Sequence, residues 1–157
     1  MSAFRSRFDV GDLRALAGDK VFARGEAYQR DGHVELLAIE RGRVFAQVAG
    51  TEDYRTELVG GRKAIRGECS CPAFEDWGFC KHLVATALAA NALTDDAEAK
   101  LTGARTRIQE HLRRQGVEDL ANIILALAER DADLFRELST AAGGNCNSPL
   151  ARRSTEP

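Results

Sequence analysis

The sequence predicts an α+β fold: a small antiparallel β-meander with packed helices and a C-terminal helical extension. Three observations predict it. Between residues 33 and 59, alternating apolar and polar positions are broken by short turns, as expected of half-buried strands. Residues 83–93 form an Ala, Leu and Val run of helical period. Three of the four cysteines and one of the three histidines fall within the fourteen residues 69–82.

The elements follow in order. Asp9 caps a short helical turn carrying Leu13 and Leu16, and Asp19 caps a second stretch in which Val21, Phe22, Gly25 and Tyr28 recur at helical spacing. Gly32 sits where a left-handed residue closes a helix. Strands are expected over 33–40, 43–49 and 54–59, with Arg41-Gly42 and Gly50-Thr51-Glu52 as turns. A fourth short strand runs from Lys63 towards Ser70. The Ala-rich helix 83–93 lies against the sheet, its small residues admitting a neighbouring backbone. Thr94 or Asp95 caps a helix continuing to about Gln115. Residues 117–129 and 133–141 read as a helical hairpin, with Leu120, Ile123, Ile124 and Leu127 facing Leu134, Phe135 and Leu138. The expected organisation is a domain over 1–94, a helical extension over 95–142 and a disordered tail over 143–157, where periodicity ends.

Composition sets outer limits. With 157 residues, 44% hydrophobic and 29% charged, the chain is neither fibrous nor broadly disordered. Only 6% is aromatic, so Ala, Leu and Val build a modest core. No apolar run approaches the ~20 residues that span a bilayer, so no membrane role is expected. The N-terminus has no secretory pattern, and Asp9 and Asp12 close behind Arg5 and Arg7 argue against a transit peptide. A cytoplasmic location is expected. There is no internal repeat.

The chemistry lies in Cys69-x-Cys71, eight residues, then Cys80-x-His82. Cytosolic cysteines clustered with histidine point to metal before disulfides. Three thiolates and one imidazole complete the tetrahedral set of a structural zinc and leave no open position for substrate. Residues i and i+2 of a strand share a face, so Cys69 and Cys71 converge in an extended segment. Two such residues on a helix diverge by about 200°, so Cys80 sits at the helix start and His82 in its first turn. Pro72 ends the strand, and Gly78 permits the return. Buried inert cysteines and a redox dithiol, with Cys71–Cys80 bridging after metal loss, are the weaker readings. A deaminase-like zinc site requires His-x-Glu together with Pro-Cys-x-x-Cys, and Pro-Cys-x-x-Cys does not occur. Glu68, Glu75 and Asp76 are read as solvated, Cys146 as a free thiol, His33 as an ordinary strand-start residue and His111 as an ordinary helix-surface residue.

These residues resemble the SWIM-type zinc finger. The likeness rests on Cys69-Ser70-Cys71-Pro72, Cys80-Lys81-His82-Leu83-Val84-Ala85 and the helix that follows. It extends upstream through Gly25-x-x-Tyr28, Gly32-His33-Val34 and Gly50-Thr51-Glu52-Asp53-Tyr54, covering about residues 20–93. The resemblance implies one structural Zn2+ on Cys69, Cys71, Cys80 and His82. It also implies a binding module for protein or DNA with no catalytic activity and no small-molecule substrate.

Charge bears on the partner. The chain holds 22 Lys+Arg against 24 Asp+Glu, a net charge of −2, and residues 95–142 carry seven basic against ten acidic side chains. No strong phosphate-tracking surface is evident. The candidate nucleic-acid contacts are Arg62, Lys63, Arg66 and Lys81, and the spacer aromatics Phe74, Trp77 and Phe79 are expected to pack within the knuckle. A protein partner is the expectation; weak, sequence-tolerant nucleic-acid binding is the alternative.

Overall fold

The computed structural model describes residues 7–61 and 64–143. The expected tail, with Cys146, lies outside these residues apart from Gly143, as do Arg62 and Lys63. The chain divides into two compact units, one ending at Ile108 and the other beginning at Gln109.

Two helices open the first unit, α1 (Val10–Ala17) and α2 (Asp19–Arg30). Asp9 caps α1 by accepting from the Asp12 N–H. Asp19 does not cap α2 as the sequence suggested. Gly18, with φ 75°, stands at the cap position, and the Asp19 carboxylate takes the Arg14 guanidinium at 3.1 Å. The strands β1 (Val34–Glu40), β2 (Arg43–Ala49), β3 (Asp53–Gly61) and β4 (Ala64–Cys69) form one antiparallel sheet in sequence order. Arg41 and Gly42 both adopt positive φ, the left-handed pair that a tight two-residue hairpin requires. A register shift between Leu36 and Ala38 leaves Leu37 exposed on the edge strand.

One face of the sheet is covered by α4 (Lys81–Asn91). Val44, Ala46, Val48, Thr56, Leu58 and Ile65 point inward and meet Leu83, Val84 and Ala87, all buried. Gly67 allows the approach of helix to sheet: a Cβ there would lie 2.8 Å from the Leu83 side chain and 2.9 Å from that of Leu58. At the centre, the buried Thr56 and Thr86 hydroxyls bond each other at 2.8 Å, and Thr86 also donates to the His82 carbonyl. This ties the middle strand to the first turn of α4.

On the other side of α4 lie α2 and the segment around Phe8. Phe8 is fully buried, and its backbone is bracketed by one side chain: Asn91 Oδ1 accepts from the Phe8 N–H at 2.8 Å, and Asn91 Nδ2 donates to the Phe8 carbonyl at 2.7 Å. Asn91→Leu keeps the branching of the side chain and strands both backbone groups, at about 1–3 kcal/mol for each. A lower midpoint in urea at unchanged zinc content is the expected result; an unchanged midpoint would contradict it.

The helix expected from residue 94 to about 115 is broken. Thr94 caps α5 (Asp95–Leu101), but Thr102 is extended and pairs with Ile39 of β1 in a parallel bridge, and Gly103 turns with φ 70° into α6 (Ala104–Arg113). Thr106 donates its N–H to Glu40, and Arg105 covers the Phe45 ring. Pairing to the sheet edge thus overrides helical period at this point.

The second unit contains α7 (Val117–Ala128) and α8 (Ala132–Ala141), which pack as the expected hairpin, with Asp131 capping α8. Two helices cannot fully bury their seam. Ile124 is 46%, Leu127 53% and Phe135 49% exposed. Among the described residues, no helix is long and apolar enough to cross a membrane.

Candidate metal centre

Local sequence places each ligand. Along β4, Ile65, Gly67 and Cys69 face α4 while Arg66 and Glu68 face away, so strand parity turns the Cys69 thiol inward. Ser70 prolongs the pairing with β3: its N–H donates to the Arg55 carbonyl, and its hydroxyl accepts from the Arg55 N–H. Cys71 stands at the cap position of α3 (Pro72–Trp77), where the proline ring presets the first helical φ. The spacer between the two ligand pairs is therefore largely a short helix. Gly78, with φ 81°, ends it and redirects the chain. Cys80 stands at the cap position of α4, and His82 lies in its first turn.

The sulfurs of Cys69, Cys71 and Cys80 and a ring nitrogen of His82 all lie within 4.8 Å of one another, and all four residues are buried. His82 Nδ1 is 3.8 Å from the Cys69 sulfur and 3.9 Å from that of Cys80. Tetrahedral zinc with Zn–S of about 2.3 Å and Zn–N of about 2.0 Å sets ligand-to-ligand edges of roughly 3.5–3.8 Å. The donor atoms therefore stand close to the spacing the ion requires. All three described cysteines are free thiols.

The electrostatics fit a thiolate site. Cys80 is held down to about 4, chiefly by the hydrogen bond from the Cys69 thiol, with His82 and the Leu83 N–H adding to it and burial opposing. Cys69 is pushed up by that same bond to Cys80 and by burial, and Cys71 is raised chiefly by burial. The unpaired N–H groups at the N-terminus of α4 favour negative charge at Cys80 in the same direction.

Two residues to which sequence reasoning gave no role frame the imidazole. Tyr54 stacks on His82, with centroids 4.7 Å apart at 29°, and Tyr28 meets it edge-on at 5.5 Å. His82 Nε2 is buried and has no hydrogen-bond partner among the described residues. The ring is thus oriented by aromatic packing where many metal-bound histidines use a carboxylate. The signal was present: Gly25 and Tyr28 share a helix face, and Tyr54 has the inward parity of Thr56 and Leu58. His33, read as an ordinary strand-start residue, packs its ring on Tyr28 at 4.8 Å.

The other candidates are dispersed. Arg66 is exposed on β4, while Lys81 Nζ bonds the Tyr28 hydroxyl at 2.7 Å and lies over that ring. Phe74 and Phe79 pack against the core as expected, but Trp77 is 87% exposed.

The family model of the SWIM zinc finger matches residues 54–91. No curated protein and no solved structure matches the chain. The match begins at Tyr54, includes all four ligands and ends at the last residue of α4. Geometry, donor chemistry and family pattern coincide: Cys69, Cys71, Cys80 and His82 hold one structural Zn2+, and the chain carries a SWIM zinc finger across residues 54–91.

Proposed function

We propose that the protein is a non-catalytic interaction module, a zinc-pinned scaffold that contacts another protein. The observation that carries this reading is the apolar seam of the second unit. Ile123, Ile124, Leu127, Phe135 and Leu138 are each between 36% and 53% exposed on two adjacent helices, a surface of the kind that a partner helix or groove covers. The acidic balance of residues 95–142 disfavours phosphate there. A Cys3His set fills the metal's tetrahedral positions, which supports a structural and not a catalytic role. Reduced, metal-ligating thiols suit the cytoplasm.

The test is purification of the tagged chain from its host after nuclease treatment. A defined protein should be retained, and Ile123→Glu with Leu127→Glu should release it while zinc content stays the same. No protein retained after nuclease treatment, with nucleic acid retained in a parallel purification without nuclease, would replace this reading with the alternative, which the exposed Arg66 supports.

A further inference from the structure

A cleft of about 660 Å³ opens at the knuckle, between the α1–α2 junction and α3, with the zinc ligands Cys71, Cys80 and His82 in its floor. Leu16, Val21, Trp77 and Phe79 supply apolar surface, and its size lies within the range of ligand sites. Two of these side chains are unusually bare, Trp77 at 87% and Leu16 at 48% exposure. The charged side chains lining the cleft are Arg24 and Lys81, with no Asp or Glu among them.

The pairing of nearby cations is uneven. Arg14 and Arg30 hold ion pairs with Asp19 and Asp31. Arg24, and Lys20 one turn before it on α2, have no ion pair or hydrogen bond among the described residues, and Lys81 rests on the Tyr28 hydroxyl and not on a carboxylate. The cleft thus joins uncovered apolar surface to basic side chains that no carboxylate pairs.

We propose that this cleft docks a short acidic, apolar peptide segment of the partner protein. A bulky aliphatic or aromatic side chain packs between Trp77 and Leu16, and a neighbouring carboxylate meets Arg24 with Lys20 behind it. The inference rests on the protein-interaction reading above and assigns it a second surface. A nucleic-acid strand fits less well, because Glu75 and Asp76 directly precede Trp77 and would repel a continuous line of phosphates, whereas a peptide places its carboxylates only on the α2 side.

Trp77 is the only tryptophan in the chain, so its emission reports on the cleft directly. Zinc-loaded full-length protein is titrated with a synthetic peptide repeating Asp-Asp-Leu-Phe, with the same peptide carrying Lys for Asp, and with oligothymidylate. The expected result is a saturable blue shift with the acidic peptide, weakened about tenfold or more by Arg24→Glu and by exchanging Asp for Lys. Because Arg24 is exposed and unpaired, Arg24→Glu should retain wild-type zinc content and thermal unfolding. No saturable shift, equal binding of the basic peptide, no effect of Arg24→Glu, or tighter binding of oligothymidylate would each overturn the proposal. Ile123→Glu with Leu127→Glu should leave the titration unchanged, so failure here and failure of the α7–α8 reading are separate results.

Discussion

Cys80→Ser should abolish stoichiometric zinc binding and unfold the first unit's knuckle. Elemental analysis of reduced wild-type protein should give one zinc per chain, and the variant close to none. Serine is a good residue for a helix N-terminus and offers about 1 kcal/mol at the cap position of α4. Against this stands an apparent zinc-linked folding energy of roughly 10–16 kcal/mol in finger peptides, as large as the whole stability of most domains. The loss therefore dominates. It should also spread, because Cys69, Cys71 and Cys80 belong to the same buried cluster as Leu58, Leu83 and Val84. Releasing the ligands loosens the end of β4 and the start of α4 together. Loss of cooperative thermal unfolding, by circular dichroism, checks this, and chelator treatment of wild-type protein should reproduce it. A wild-type melting curve in the variant, or metal-free wild-type protein that melts identically, would sink the structural role. Cys146→Ser should leave the zinc content at one.

The metal ligands were legible because their chemistry is local: strand parity fixes Cys69, and the 200° separation of i and i+2 on a helix forces Cys80 to the start of α4. The meander was legible for the same reason, since period-2 alternation and Gly turns are nearest-neighbour signals. What escaped depends on tertiary partners. The break at Thr102–Gly103 follows from pairing with Ile39, a strand distant in sequence. The rings around His82 come from α2 and β3, so no spacing near the knuckle announced them. Trp77 was expected to pack inward with Phe74 and Phe79; the helical geometry of α3 instead carries it to the surface.

Gly25→Ala should destabilise the protein even though alanine is the better helix former. In the middle of α2 the exchange gains about 1 kcal/mol of helix propensity. A Cβ at this position, however, would stand 2.5 Å from both Cβ and Cγ1 of Val84 and 2.9 Å from the Lys81 carbonyl oxygen. Neither contact relaxes through a flexible side chain: a Cβ moves only with its backbone, and the carbonyl belongs to the first turn of α4. The two helices must move apart, and overpacking of this kind costs typically 1–3 kcal/mol, more when backbone shifts. The net sign is therefore destabilising. The displacement falls on Lys81, between two zinc ligands, and on α2, which carries Tyr28 against His82. Zinc affinity should fall along with the urea midpoint, and Gly25→Ala combined with Val84→Ala should recover part of the affinity by removing the atoms in conflict, while paying for the lost valine packing. A midpoint at or above wild type for Gly25→Ala alone would show that α2 and α4 are not held at the separation that only glycine permits.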